Sequence, residues 1–384
     1  MTTLLSALFL SSAIGGSLEL GDRTEARFTG TTGPTTLSAE LMTNPSALLQ
    51  IGSHRWDISA RYAPSLTLRG LGIEPALDIL HRGRVEVSID ATRRLNVGVF
   101  GDGSYGTARF LSPTLPEVDR ANAQPIDALP GLDTIRYASL QTGVEARFAA
   151  TRRITLDAVA EYGLSGGVDE VSKAAYRQIA GPRVELGADV AITRRDGART
   201  TAEAMGVTFS SGEQAALAVL TEAWKHRFTR STASTLGVGA ALDIWQRSAG
   251  ASSRVTLYPV AEAALEHTRK RLDLGLGVRV TPVLDRLRGD LEPRLLLDAS
   301  ATWTPSQRLS AWCRAGAAQS IPWSARDSLT LAYGEAGVGV RLADWVEFVN
   351  GARAAYQLRA ETEPRKLQWM IFSGATFTAP RIRF

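Results

Sequence analysis

The sequence predicts an all-β fold, a transmembrane antiparallel up-and-down β-barrel of about eighteen strands. Three observations support this prediction. Long segments alternate between apolar and polar residues, a short turn recurs along the chain, and the mean hydropathy is only -0.05. Beyond the N-terminus, no run approaches the roughly 18 apolar residues that a membrane-spanning helix needs. If the chain crosses a membrane, it therefore crosses with strands.

Residues 1–16 are expected to form a signal peptide, and residues 17–384 a single barrel domain. The apolar stretch from Leu4 to Ile14 has the length of a signal-peptide core, and small residues close it. It is too short to span a bilayer as a helix, and the usual Lys or Arg in front of it is missing. The alternatives are a mis-assigned start or an unstructured leader.

A repeated turn divides the barrel domain into hairpins. The sequence Ala-Thr-Arg-Arg occurs at 91–94 and 150–153, with variants at 192–195, 228–231, 267–270 and 303–306. Residues 52–55 and 343–344 occupy the equivalent places near the two ends. Successive turns lie roughly 36 to 42 residues apart, except for one longer interval. A fixed period of this kind indicates a chain of similar units.

The segments between turns have the pattern and the length of membrane-crossing strands. Residues 84–90, 154–162, 183–190 and 272–280 alternate apolar and polar, whereas a helix would repeat every 3.6 residues. Strands are predicted near residues 17–28, 36–51, 55–68, 80–90, 95–104, 135–148, 154–165, 181–192, 198–210, 214–226, 232–245, 253–266, 271–283, 292–303, 307–318, 327–342, 345–358 and 367–384. An even count closes an antiparallel barrel with both termini on one side. The region 198–226 fits least well, because Met205, Val207 and Phe209 share a face with Glu203, and a bulge would explain this.

The polarity of the strands decides their setting. Most strands have one apolar face and one face that carries Glu, Asp, Arg and Gly. Burying so many charges in a dry core would cost several kcal/mol each. The polar face must therefore meet water, either as a wet lumen with lipid outside or as the surface of a soluble all-β protein. Strand number, strand length and hairpin order favour the membrane barrel.

Alternation assigns a set of charged residues to the lumen. They are Arg84, Glu86, Asp90, Glu145, Arg147, Asp157, Glu161, Arg183, Glu185, Asp189, Asp273, Arg279, Arg294, Asp298, Arg314, Glu335, Arg341, Glu347 and Arg353. Asp243, Glu262 and Glu266 belong to the same face, on which acids outnumber arginines. Such charges would pass polar solutes and hinder apolar ones, or would simply pair and stabilise the wall.

One long connection, from Tyr105 to Thr134, carries four prolines and several acids. In a wide barrel it could fold inward as a constriction, lie over the rim, or be disordered.

Other chemistry is weakly represented. A single cysteine, Cys313, excludes a disulfide framework and cysteine-based metal sites. Residues 101–106 read GxGxxG, but prolines follow instead of the helix that a dinucleotide site needs, so neither cofactor nor metal is expected. The net charge of +4 comes from arginines interleaved with acids, so no nucleic-acid partner is expected.

Aromatic residues lie where a membrane-interface girdle would be. Phe148, Phe228, Trp303 and Trp345 are next to the tight turns, and the chain stops on Phe384. In this the sequence resembles the bacterial outer-membrane β-barrel class, porins among them, whose last strand commonly ends in phenylalanine. Pro380 departs from the alternation expected upstream of that residue. The resemblance implies the outer membrane of a Gram-negative bacterium, contact with its lipid, and recognition of the C-terminal strand by the barrel-assembly machinery.

The size, the strand number and the lack of a periplasmic domain also resemble the barrel components that export exopolysaccharide in myxobacteria. The predicted function is therefore a channel that passes hydrophilic solutes, with saccharide or polysaccharide export as the specific hypothesis and a periplasmic export partner as its corollary. Two alternatives remain. A barrel enzyme would need a catalytic cluster at the loop end, where His81 lies, and a structural or receptor barrel would have a plugged lumen. We expect no enzymatic activity.

Overall fold

The computed structural model describes residues 15–32, 36–70, 76–109, 134–246, 253–285, 290–321, 329–359 and 363–384. The first half of the chain forms β1 (Gly15–Thr32), β2 (Thr36–Thr43), β3 (Ser46–Gly52), β4 (Trp56–Tyr62), β5 (Ser65–Arg69), β6 (Ala76–Asp90), β7 (Leu95–Arg109), β8 (Thr134–Ala149), β9 (Ile154–Gly167), the short helix α1 (Glu170–Ala175) and β10 (Ile179–Ala191). The second half forms β11 (Asp196–Phe209), β12 (Gln214–Arg227), β13 (Thr232–Gln246), β14 (Arg254–Arg269), β15 (Leu272–Asp285), β16 (Asp290–Trp303), β17 (Leu309–Ser320), β18 (Leu329–Ala343), β19 (Val346–Arg359), β20 (Glu363–Thr378) and β21 (Ile382–Arg383).

These strands build one closed antiparallel barrel. Strands that follow each other along the chain pair, with β2 and β3 together forming one wall strand and β4 and β5 another. The strand β1 closes the ring by pairing with β20 from Gly21–Thr378 to Thr32–Leu367. Because the first and last strands pair, neither end of the sheet is left as an open edge, which a sheet that spans lipid requires. The predicted fold class, a barrel of eighteen wall strands, is thereby confirmed.

Prolines explain why the described residues contain twenty-one strands in eighteen wall positions. Pro45 separates β2 from β3, Pro64 separates β4 from β5, and Pro380 separates β20 from β21. Proline has no amide hydrogen to donate to a ladder. The register of β2 and β3 against β1 is the same on both sides of Pro45, so each broken pair remains one wall strand.

The tight turns lie where the sequence predicts them, and a threonine explains their repetition. In the turn after β6, Thr92 Oγ1 accepts hydrogen bonds from the backbone amides of Arg94 (3.1 Å) and Leu95 (3.0 Å). Thr151 and Thr193 make the same pair of bonds in the turns after β8 and β10. These local bonds give the turn amides a side-chain acceptor and so stabilise the turn.

The outward face is apolar and the inward face is polar along most strands. Alternate residues such as Leu220, Val238 and Leu257 are 57%, 68% and 70% exposed on the outside of the barrel. The intervening residues carry the ion pairs described below. Burial of polar groups in lipid is thereby avoided, while the apolar band meets the acyl chains.

One detail differs from the sequence expectations. The strand β11 contains no bulge, because its pairing with β12 runs without a shift from Asp196–His226 to Thr208–Gln214. Met205, Val207 and Phe209 therefore point into the barrel. The proposed signal peptide, residues 1–16, falls mostly outside the described residues, and Gly15 and Gly16 already belong to β1.

Candidate functional site

The lumen is the candidate site, and the ladder register gives its lining. The nineteen charged residues predicted to face inward occupy one continuous set of alternate positions: Arg84, Glu86, Asp90, Glu145, Arg147, Asp157, Glu161, Arg183, Glu185, Asp189, Asp273, Arg279, Arg294, Asp298, Arg314, Glu335, Arg341, Glu347 and Arg353. Their role as a pore lining stays a prediction.

On the wall formed by β9 to β12, two arginines are surrounded by carboxylates. Arg183 reaches Glu161 at 3.1 Å, Glu185 at 2.6 Å and Glu203 at 2.7 Å. The register brings them together, because Arg183 is the direct cross-strand partner of Glu161, and Glu185 is that of Glu203. Such charge-assisted bonds hold the guanidinium in one orientation.

The second arginine on this wall is Arg199, which lies closer to the tight-turn end and is the cross-strand partner of Asp189. Its guanidinium contacts Asp157 at 3.0 Å and Asp189 at 2.5 Å, and Lys225 lies 3.9 Å from the same Asp189. The two clusters therefore form a ladder of alternating charge along the lumen. These inward charges pair with each other, which is one of the two expectations for them; their effect on solute passage stays a prediction.

A second cluster lies across the barrel closure, on β1 and β17 to β20. Arg23 and Arg27 both contact Glu25, at 2.5 Å and 2.7 Å, and Glu25 is only 2% exposed. Arg353 contacts Glu335 at 3.1 Å and stacks 5.0 Å over the ring of Phe372. The barrel therefore has more inward-facing cations than the sequence assigned to the lumen, since Arg23 and Arg27 were not in that set.

Sequence reasoning missed several inward charges: Arg23, Glu25, Arg27, Glu40, Arg61, Arg69, Asp78 and Arg199. Most of them follow the same alternation as their neighbours, so the pattern could have revealed them. Because many are arginines, they narrow the excess of acids that the sequence suggested.

The wall opens between β14 and β15 in the half of the barrel that carries the long loops. Their ladder runs from Arg269–Leu272 to Ala261–Val280 and ends there. Continued at the same register, it would place Pro259 directly opposite Pro282, and neither has an amide hydrogen to donate. The β15–β16 hairpin remains paired internally, with Pro282 opposite Pro293.

The described end of this hairpin, residues 281–285 and 290–294, which we call the hairpin tip, lies inside the lumen. Leu291, 3% exposed, belongs to one apolar cluster with Phe209, Ala241 and Val260 from the inner faces of β11, β13 and β14. Leu284 packs against the same cluster. The tip therefore covers the inward apolar patch, which explains why Met205, Val207 and Phe209 can face inward without meeting water.

The tip also brings charge into the lumen. Arg294 is fully buried and its guanidinium lies 3.1 Å from Glu292 on the same strand. A hairpin that carries apolar and paired polar groups into the bore narrows it from one side. The sequence suggested the connection 105–134 for this role. Its ends belong to β7 and β8, and residues 110–133 lie outside the described part of the chain.

The aromatics predicted to form a girdle are exposed at the tight-turn end. Phe148, Phe228, Trp303, Trp345 and Phe384 are 41% to 67% exposed. In the opposite half, Tyr62, Tyr105 and Tyr162 form a second outward group, each 47% to 60% exposed. Two aromatic levels separated by an apolar band match the two interfaces of a bilayer.

His81, the residue on which the enzyme alternative depends, faces outward. Its Nδ1 lies 2.7 Å from Tyr62 Oη, and the two rings stack at 6.2 Å. His226 and His267 are hydrogen-bonded to Asp196 and Thr232 near the tight turns. These histidines therefore act as interfacial hydrogen-bonding groups and do not meet in a catalytic arrangement.

Within the described residues, no group of three or more His, Cys, Asp or Glu side chains is arranged to hold a metal ion. No helix among those residues combines the length and the apolar character needed to cross a membrane.

Comparison with known proteins agrees with this architecture. The sequence model of the EpsX exopolysaccharide export family matches residues 35–380. No curated protein sequence matches the chain.

Among solved structures, the barrel is similar to OccAB2 of Acinetobacter baumannii, with a TM-score of 0.52, 11% sequence identity, and coverage of 95% of this chain and 98% of that chain. OpdL of Pseudomonas aeruginosa gives a TM-score of 0.51 at 11% identity with the same coverage. OccK2 of Pseudomonas aeruginosa, solved in complex with glucuronate, gives 0.50 at 9% identity, again covering 95% and 98%. The chain therefore has the fold of porin-like outer-membrane barrels.

Proposed function

This chain belongs to the EpsX exopolysaccharide export family, and we propose that it conducts saccharides through its charged lumen across the outer membrane. The observation that carries the proposal is the wall of paired charges on β9 to β12. Paired carboxylates and guanidinium groups keep a bore wet and offer hydrogen-bond partners to hydroxyl groups without holding any one ion tightly.

The size and shape of the barrel support the same proposal. Eighteen strands lie in the range in which barrels enclose an aqueous channel. OccK2, a barrel of similar fold, was solved in complex with glucuronate. A fold of this kind therefore accommodates a sugar acid in at least one protein, which makes a sugar-derived solute a reasonable choice for this chain.

We assign the hairpin tip the role of constriction. It lies on the inner faces of β11 to β14, and the two facing prolines free it from the wall. Throughput then depends on how long the tip stays docked. A barrel whose tip never undocks would be a plugged structural or receptor barrel, and this is the competing function.

We propose that the protein is not an enzyme. The support is the outward position of His81 and the absence of a metal-binding group in the part of the chain that the structure describes. Residues 1–16 are proposed to be a cleaved signal peptide and residues 17–384 the mature barrel.

The proposed partners follow from the two ends of the wall. The C-terminal strand, with β21 paired to β1 at Leu18–Ile382 and Phe384 exposed, would be recognised by the barrel-assembly machinery. A periplasmic export partner would meet the tight-turn end, where both described termini lie.

The test is liposome swelling with the refolded chain and neutral saccharides of increasing size, from a monosaccharide to a hexasaccharide. We expect swelling with the smaller sugars and a size cut-off set by the tip. Empty liposomes and liposomes with a closed eight-stranded barrel are the controls. A folded, inserted barrel that passes ions but no sugar would refute saccharide conduction, and one that passes neither would favour the plugged barrel.

A further inference from the structure

A cleft of about 370 Å³ opens among three neighbouring hairpins at the tight-turn end of the barrel. Its lining comes from three hairpins: Lys270, Arg271, Thr304, Pro305, Ser306, Gln307, Arg308, Leu309, Ser310, Arg341 and Glu347. Short turns face the periplasm in barrels of this class, so the cleft lies at the entrance that a solute from the periplasm would meet. We call it the rim cleft.

Backbone hydrogen bonds join the three hairpins and fix the shape of the rim cleft. The amide of Thr304 donates to the carbonyl of Arg271 at 2.8 Å, and the amide of Arg341 donates to the carbonyl of Arg308 at 2.7 Å. Inside the middle turn, Ser306 Oγ accepts from the amides of Arg308 and Leu309. The cationic side chains therefore extend from a preformed backbone, which reduces the entropy lost on binding.

The charges of the rim cleft are unbalanced. Lys270, Arg271, Arg308 and Arg341 contribute four positive charges, and Glu347 contributes one negative charge. None of these five side chains makes an ion pair with another described residue, although Arg341 and Glu347 are cross-strand partners. By contrast, Arg183 and Arg199, on the wall formed by β9 to β12, are each held by several carboxylates. The cations of the rim cleft can therefore bind an anionic ligand, whereas Arg183 and Arg199 are already engaged by carboxylates of the barrel.

A glycine provides part of the space. A Cβ added at Gly339 would lie 2.5 Å from both Ser310 Oγ and Glu347 Oε1. A side chain at this position would fill the inner end of the rim cleft. The glycine leaves a hydroxyl and a carboxylate open to the cleft beside the cations, which is the mixture of donors and acceptors that a hydroxylated anion requires.

We propose that the rim cleft binds a carboxylate-bearing sugar unit and is the entry subsite for an acidic polysaccharide. The sugar carboxylate accepts hydrogen bonds from Arg308 and Arg341, since guanidinium groups bind carboxylates in a two-pronged geometry. Ser310 and Glu347 accept hydroxyl hydrogens of the same unit. This assignment rests on the proposed saccharide function and names its substrate class.

The test measures binding to the full refolded chain in detergent by calorimetry, so that it does not depend on transport. The probes are tetragalacturonate and maltotetraose, an acidic and a neutral sugar of similar length. The variant is Arg308→Gln with Arg341→Gln. The matched control is Arg93→Gln with Arg152→Gln, which removes two equally exposed turn arginines outside the cleft.

We expect tetragalacturonate to bind at least tenfold more tightly than maltotetraose. The Kd of the cleft variant for tetragalacturonate should rise about tenfold, while that of the control variant should not change. A Gly339→Ala variant, which leaves every charge in place, should also weaken binding. Equal affinity for the two sugars, or an equal loss in the control variant, would overturn the assignment. Equal competition by inorganic phosphate would reduce the cleft to a general anion site and overturn it as well.

The two proposals fail separately. If liposomes pass neutral sugars but the rim cleft does not prefer the acidic one, saccharide conduction stands and the substrate class is wrong. If the cleft binds the acidic sugar but no sugar crosses, the binding site stands and conduction is wrong. Heat-modifiable migration on a gel confirms in each case that the variants are folded barrels.

Discussion

The hairpin tip should undock when its apolar contact is shortened. Leu291→Ala removes a side chain that is 3% exposed among Phe209, Ala241 and Val260. Buried Leu→Ala changes cost about 2–5 kcal/mol, and the lower value suits a site that can settle. At 1.4 kcal/mol for each factor of ten, about 2 kcal/mol raises the undocked population roughly thirtyfold.

A thiol placed under the tip reports this population directly. The native Cys313 is exposed and is first replaced by Cys313→Ser. Ala241 is fully buried beneath the tip, so Ala241→Cys reacts with a water-soluble maleimide only when the tip leaves. If opening is fast compared with labelling, the labelling rate follows the undocked fraction. Leu291→Ala should therefore raise this rate roughly thirtyfold.

Two controls complete the experiment. Thr221→Cys lies on the inner face of β12, is already partly exposed, and should label at one rate in both backgrounds. Val260→Cys offers a second covered position if Ala241→Cys disturbs the packing. Equal labelling of the covered thiol with and without Leu291→Ala, in barrels shown to be folded, would refute the docked tip.

Three further predictions test the charged wall of β9 to β12, the interrupted β14–β15 ladder and the loop before α1. Arg183→Gln leaves Glu161, Glu185 and Glu203 without their shared cation, so the reversal potential in a salt gradient should shift toward cation selectivity and the melting temperature should fall, whereas Arg152→Gln should change neither. Pro259→Val with Pro282→Val restores two amide donors, each worth about 1 kcal/mol, so the β14–β15 ladder should extend and draw the tip back to the wall. Conductance should then rise. Extended amide protection with unchanged conductance would show that the tip is not the constriction. In the loop before α1, the amide of Ser172 donates to Asp169 and holds the pKa of that carboxyl below its usual value. The capped turn should therefore persist above about pH 4 and be lost as the pH falls through the folded pKa, which amide exchange would detect. Asp169→Asn should abolish this pH dependence.

Much of the fold could be predicted because its determinants are local. Alternation sets the faces of a strand without reference to any partner, and nearly every strand lies within a few residues of its predicted range. The turn repeat is equally local, since Thr92 and Thr151 bond to amides two and three residues ahead. The inward set of charges followed from the same alternation.

The region around β11 shows where local reasoning stops. Met205, Val207 and Phe209 contradict the polarity of their face, and a bulge was the local explanation. The correct explanation is a hairpin about eighty residues later that covers them. No property of β11 itself contains this information.

The sequence by itself determined the alternating strands, the threonine turns, the number of wall positions and the charged inner face, because each depends on residues close together in the chain. Only the tertiary structure decided three things. The register between two hairpins would set Pro259 against Pro282, so the β14–β15 ladder ends before them. The tip docks because it is free of that ladder. The rim cleft exists because three hairpins bring Arg271, Arg308 and Arg341 to one place. Contacts between distant segments depend on register and closure, and these are properties of the whole barrel.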